Sequence, residues 1–335
     1  MKLFKRCAAL VLALAVTMGL AACGGKNEPA ADGLEKITFV LDWTPNTNHT
    51  GLYVALANGY FAQRGLNVEV VQPPEDGAEV LVASGKAQFG VSFQDYLAPA
   101  FVEGKEMPIT AVAAVIQHNT SGIISRAGEG MDTPKGLEGH KYATWDLPVE
   151  KATMAQVMAA DGGDFELVER IPSTVTDEVS ALKSGSVDAI WIYYAWAGMA
   201  CEVAGLETDY FAFADIDPVF DYYTPVIIAN NDYMAQNPET VRNFMAALAE
   251  GYEYAMKNPI PAADILMGTA PELASNPELI YASQKYLAGE YQADAQRWGE
   301  IDPARWSAFF TWLNDNDLLE GKIDPACGFT NDYLP

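Results

Sequence analysis

The chain has 335 residues, half of them apolar, with 20 Lys and Arg against 45 Asp and Glu, a formal net charge of −25. Nucleic acid and anionic lipid both require a basic footprint, so this balance argues against either as a direct partner. Its apolar content and length suit an α/β protein with a large core divided into two domains or lobes.

The N-terminus sets the compartment. "MKLFKRCAALVLALAVTMGLAAC" opens on Lys2, Lys5 and Arg6, runs apolar from Ala8 to Ala22 and closes on "LAAC" at Cys23. A charged, then apolar, then small-residue order reads as a secretory signal over residues 1–22. A membrane-spanning helix would need ~20 apolar residues, and this run is short and contains Thr17 and Gly19. The "LAAC" ending resembles the lipobox of bacterial lipoproteins, which implies a lipid on Cys23 and an anchor on the extracytoplasmic face of the cell membrane. Past the signal, 17 basic residues face 45 acidic ones, a charge of −28. Residues 23–35, small and polar without periodicity, read as a tether, and the folded part starts near Ile37.

Strands and helices then alternate. "KITFVLDW" predicts a strand and "HTGLYVALANGYFAQRGL" a helix closed by Gly65, followed by the strand "NVEVVQP", the helix "GAEVLVASG" and the strand "AQFGVSF". "ITAVAAVIQ" reads as extended, "KYATW" as a strand, "VEKATMAQVMAADGG" as a helix and "FELVERIP" as a strand. The helix "TDEVSALKSG", the strand "VDAIWIYY", the helix "AWAGMACEVAG" and the strand "TPVIIAN" come next. A long helix follows over "NPETVRNFMAALAEGYEYAMKNP", with Asn237 as N-cap and Pro238 at the first helical position, and further helices run to the C-terminus. This alternation predicts parallel sheets with right-handed crossovers. Residues 80–98 and 179–197 echo one another: a helix, a Ser-Gly stop at 84/85 and 184/185, a strand and a second helix. "ITFVLDW" and "KYATWD" echo likewise, so two similar lobes are expected, each with its own sheet. Cys201 and Cys327 either pair or sit apart as small core residues, and no Cys/His cluster suggests a metal.

In open α/β sheets ligands bind beyond the carboxyl ends of the strands. Those junctions carry Asp42, Trp43, Asn46, Asn48 and His49, then Phe93, Gln94, Asp95 and Tyr96, then Trp145 and Asp146, then Trp191, Tyr193, Tyr194 and Trp196. A crossing segment adds Tyr222 and Tyr223. Rings and neutral or acidic groups dominate, with Arg and Lys nearly absent. A sulfonate, nitrate or phosphate ester calls for the opposite inventory, so the site suits a flat neutral or weakly basic heterocycle. Each residue also has a plainer role. Trp43 and Trp145 either stack on a ligand or cap the core, and His49 and Asp42 either touch it or shape a turn. A strand sends neighbours to opposite faces, so at least one of Tyr193, Tyr194 and Trp196, and one of Tyr222 and Tyr223, should be core.

From residue 36 to about 315 the chain resembles the family that joins solute-binding proteins of bacterial ABC importers to the eukaryotic thiamine-pyrimidine synthases. The segment "ITFVLDWTPNTNHTGLYVALANGYFAQRGLNVEVV" carries the resemblance, with "GKAQFGVSF" and the long "NPETVRNF" helix behind it, and "DWTPNTNHTG" is its strongest motif. It most resembles the branch that binds thiamine-precursor pyrimidines such as formylaminopyrimidine, or in some members riboflavin. The resemblance implies a type II periplasmic-binding-protein fold, an α/β protein of two lobes closing on ligand around a hinge. The crossings fall near 118–122 and 222–226, giving lobes of residues 36–120 plus 225–335 and 121–224. It implies a small heterocycle, an ABC permease and its ATPase as partners, and a monomer without cofactor or metal.

The synthase branch needs a lysine that holds pyridoxal phosphate, a sacrificial histidine and an iron-associated cysteine motif. Laid on that pattern, Ser92 stands for the lysine, Tyr96 for the histidine, and "FDYYT" at 220–224 has no cysteine. Synthase activity is therefore not expected. Many pyrimidine-binding members also carry a Glu where this chain has Ala197, so either Asp42, Asp95 or Asp146 accepts the ring amine or the ligand is another heterocycle.

Overall fold

The computed structural model describes residues 33–335; the signal, Cys23 and nearly all of the tether lie outside the described residues. In chain order the strands are β1 (Glu35–Val40), β2 (Leu66–Val71), β3 (Phe89–Ser92), β4 (Ile109–Ala114), β5 (Ser121–Arg126), β6 (Lys141–Thr144), β7 (Glu169–Pro172), β8 (Ala189–Tyr193), β9 (Thr208–Ala212) and β10 (Val226–Asn230). They form two five-stranded sheets, ordered β2-β1-β3-β10-β4 and β7-β6-β8-β5-β9. The orders correspond strand for strand, so the echo between residues 80–98 and 179–197 is the pairing of β3 with β8. Gly85 and Gly185, the two Ser-Gly stops, both take left-handed φ values, 73° and 68°.

The expectation of parallel sheets holds only for β2-β1-β3 and β7-β6-β8. Strand β10 runs antiparallel to β3 and β4, and β5 runs antiparallel to β8 and β9. Each of these strands enters from the other sheet. It therefore begins where the parallel strands end: Val226 lies opposite Ser92, and Ser121 opposite Tyr193. Strands β5 and β9 were not anticipated from the sequence. The helix expected through Gly65 stops at Ala57, and the chain turns through Gly59 (φ 71°) into a short 3-10 segment before the left-handed Gly65.

The helix Pro238–Lys257 covers one face of the first sheet with Val241, Phe244, Met245, Leu248 and Tyr252, a helical stripe of buried side chains. Phe244 stacks on Phe89 at 3.9 Å. A second cluster belongs to both sheets: Trp306, Phe309, Phe310 and Trp312 of the helix Pro303–Asp315 share a core with Met154, Val157 and Met158 of the helix Pro148–Ala160. Cys201 and Cys327 are free, so they do not pair. Among the described residues no helix is long and apolar enough to cross a membrane, and no group of three or more His, Cys, Asp or Glu is placed to hold a metal ion.

Candidate ligand-binding site

The loop after β1 is built inward from His49. Its Nδ1 accepts from the backbone N–H of Asn46 at 3.1 Å, and its Nε2 lies 2.6 Å from Asp42 Oδ1. Because Nδ1 accepts, the ring donates from Nε2 to the Asp42 carboxylate. Asn46 returns a cap, its side chain accepting from Asn48 N at 2.9 Å. The floor is tied down from the helices behind it: Tyr252 donates to Asn48 O, and Tyr291 to Thr47 O, both at 2.7 Å. What remains outside this network is Trp43, 67% exposed.

The loop after β6 repeats the device with different chemistry. Glu150, buried and three residues into its helix, accepts from Tyr142 OH at 2.7 Å, Trp145 N at 3.1 Å and Leu147 N at 3.2 Å. Burial, then the Glu150 charge and hydrogen bond, push the Tyr142 phenol well above its ordinary range. Asp146 takes a left-handed φ of 64°, its N–H donating to Thr144 Oγ1, and its exposed carboxylate pairs with Lys151 at 2.6 Å. The loop again offers a ring, Trp145, 43% exposed and tilted against Trp191 at 5.8 Å. Between β6, β7 and β8 lies a cavity of about 140 Å³, lined by Trp145, Trp191, Tyr193, Trp196, Ala197 and Glu178 among others. That is about the volume of cavities that accept a single aromatic ring.

The loop after β3 and the crossing meet this wall. Phe93 and the exposed Tyr96 form an edge-to-face pair at 5.5 Å. Tyr193 and Tyr222 lie close enough to Asp95 that, after burial, its charge is the next cause raising both phenols. Both remain protonated donors at neutral pH. Asp95 itself is pushed up to about 6 by burial, against the pull of its own and Tyr96's N–H groups and with the Glu79 charge adding to the rise. Buried polar atoms without a hydrogen-bond partner gather at these strand ends and crossings: Asp95 Oδ1, Thr120 Oγ1, Ser121 Oγ, Trp191 Nε1 and Thr224 Oγ1. Buried polar atoms are normally satisfied, so such a group marks a place for a missing partner.

Several expected site residues point elsewhere. Gln94 is fully buried, its amide donating to Trp306 O at 2.8 Å and accepting from Tyr223 N at 2.9 Å. Both crossing tyrosines are core residues: the Tyr223 hydroxyl accepts from Asp302 N at 2.8 Å, and Tyr222 stacks on Phe309 at 4.0 Å, with Tyr222 the one whose phenol lies in the field of Asp95. His49 has partners on both ring nitrogens. Tyr194 donates to Glu202 at 2.6 Å and stacks beside Tyr210 and Tyr286. Trp196 lines the cavity at one edge and also packs on Tyr53, Leu266 and Ile280 of the first sheet's helices. Ser121, Glu150 and Glu178 were missed. The position of Glu150, a capping residue three into its helix, was readable; Ser121 lay in an unrecognised strand.

Two sheets of corresponding strand order, joined by two crossings and each carrying an exposed tryptophan on a strand-end loop, have the two-lobe fold of type II periplasmic binding proteins. The chain belongs to the NMT1/THI5-like family, whose model matches residues 46–262. It is 31% identical over 340 residues, 99% of each chain, to the formylaminopyrimidine-binding protein of Halalkalibacterium halodurans. The 4-amino-5-hydroxymethyl-2-methylpyrimidine phosphate synthase THI13 of Saccharomyces cerevisiae is 25% identical over 270 residues, 74% of each. The riboflavin-binding protein RibY of Chloroflexus aurantiacus is 22% identical over 311 residues, 90% of this chain and 87% of that one. The periplasmic aliphatic sulphonate-binding protein SsuA of Escherichia coli shares the fold, with a TM-score of 0.66 at 16% identity over 87% of this chain and 90% of its own.

Proposed function

We propose that this protein is the extracytoplasmic solute receptor of an ABC importer, and that its cargo is a small aromatic heterocycle, a thiamine-precursor pyrimidine such as formylaminopyrimidine or else riboflavin. The observation that carries this reading is the pair of exposed tryptophans on corresponding, internally pinned loops, together with a ring-sized cavity walled by Trp145, Trp191, Tyr193 and Trp196. In this reading the lobes are residues 36–120 with 225–335, and 121–224. They close on the ligand because it binds the closed state better than the open one. A lipid on Cys23 would hold the receptor, as a monomer, beside the permease and its ATPase.

The synthase reading lacks its chemistry. Ser92 is buried and donates its hydroxyl to Glu79, Tyr96 stands where the histidine is needed, and residues 220–224 hold no cysteine. A sulfonate receptor would need cations, whereas Lys151, in the helix that follows the Trp145 loop, is paired with Asp146.

The test is thermal unfolding of the purified chain against formylaminopyrimidine, 4-amino-5-hydroxymethyl-2-methylpyrimidine, riboflavin and taurine. A ligand at a hundred times its dissociation constant adds ~2.7 kcal/mol and shifts the midpoint upward. A shift with a pyrimidine or the flavin is expected. A shift with taurine alone overturns the heterocycle reading.

A further inference from the structure

We propose that Asp95 selects the cargo: its unpartnered Oδ1 accepts an N–H from an amino group on the edge of the heterocycle, so that amino-substituted rings are preferred over their oxo counterparts. This rests on the heterocycle reading above and adds to it the residue and the edge of the ligand that it reads.

The structure separates the three candidate aspartates. Asp42 Oδ1 is committed to His49 at 2.6 Å, with the carboxylate side chain only 7% exposed. Asp146 is committed to Lys151 at 2.6 Å and is largely in solvent. Asp95 alone of the three keeps a buried oxygen with no hydrogen-bond partner. A buried acceptor without a donor is costly, and a ligand N–H that reaches it recovers that cost, whereas a carbonyl placed there adds lone-pair repulsion. Tyr193 joins this point to the ring cavity, since it lines the cavity and its phenol lies in the field of Asp95. In this proposal a ring lying against Trp145 and Trp191 in the cavity turns its amino edge past Tyr193 toward Asp95. Burial raises the Asp95 pKa, as expected of a carboxyl that has lost part of its solvation. The charged neighbour facing it is Glu79, which is itself engaged by Ser92.

The experiment is calorimetric titration of the full chain with 4-amino-5-hydroxymethyl-2-methylpyrimidine and with its 4-oxo analogue, repeated for Asp95→Asn and Glu178→Gln. The wild type is expected to prefer the amino ligand roughly 10- to 100-fold, the range set by one unmet buried hydrogen bond. Asp95→Asn is expected to lower that preference at least tenfold. Because it removes a buried charge without changing volume, its unfolding midpoint should not fall. A wild type that takes both ligands equally overturns the inference. So does an Asp95→Asn protein that keeps the preference, or a preference lost in Glu178→Gln instead, while the receptor reading stands. A wild type that binds no pyrimidine and no flavin overturns both.

Discussion

Trp43 is a large apolar ring left in water on a loop whose other groups are almost all tied down. It contributes little to the fold, so Trp43→Ala should leave stability within ~0.5 kcal/mol of wild type. Binding is another matter: a stacked aromatic pair is worth ~0.5–1.5 kcal/mol beyond the area it buries, so the affinity should drop about tenfold or more. Calorimetry beside thermal unfolding separates the two, and unchanged binding would sink the stacking model. At this scale the sequence told which groups could meet a ligand but not which would be used up by the protein. His49, Gln94 and Tyr223 read in the sequence as ligand-facing groups just as Trp43 does. Gln94 and Tyr223 are consumed by partners far along the chain, Trp306 and Asp302, and no local pattern shows such pairings; His49 is consumed within its own loop by Asn46 and Asp42.

The loops are only as well placed as the helices beneath them. Helix Thr50–Ala57 crosses helix Pro238–Lys257 at Gly51 and Gly251, and a Cβ on Gly251 would stand 2.0 Å from Gly51 O. In an ordinary helix interior Gly→Ala gains up to ~1 kcal/mol. Here overpacking reverses the sign, and Gly251→Ala should cost roughly 1–3 kcal/mol, lowering the unfolding midpoint by several degrees. A midpoint that rises would mean the helices do not approach this closely. The elements themselves were largely legible: period-2 and period-3.6 patterns placed eight of the ten strands and the long helix with its Pro238 start. Strands β5 and β9 escaped because "SGIISR" follows a polar crossing with no helix before it, and "TDYFA" is a short edge strand. The antiparallel entry of β5 and β10 was not legible either, since strand direction depends on which sheet the chain has just left.

At the scale of the whole molecule, the lobes meet through more than the two crossings. Ser283 donates to Ala195 O at 2.5 Å and Trp312 to Gln156 at 2.6 Å, so the helices Pro277–Glu290 and Pro303–Asp315 of the C-terminal region both grip the second sheet's side. The crossings themselves are bound by His118, whose Nδ1 lies 2.8 Å from Asp221 on the other crossing and whose Nε2 lies 3.0 Å from Asp294. Burial alone would lower the His118 pKa, but the hydrogen bond and charge of Asp221, helped by Asp294 and opposed by Arg305, raise it overall. A raised histidine pKa gives stability that is fully present below its unfolded value near 6.5 and is lost as pH rises through the folded value. The ion pair between the crossings is therefore an acid-side bond. Glu290, also beside His118, is itself pushed up by burial, and it titrates with or without the histidine, so the contrast must be drawn against a variant. The unfolding midpoint of wild type should exceed that of His118→Gln at pH 5.5, and the gap should narrow by pH 8.5. A gap that is constant, or that widens with pH, would mean that the imidazole joins the crossings as a neutral hydrogen-bonding group.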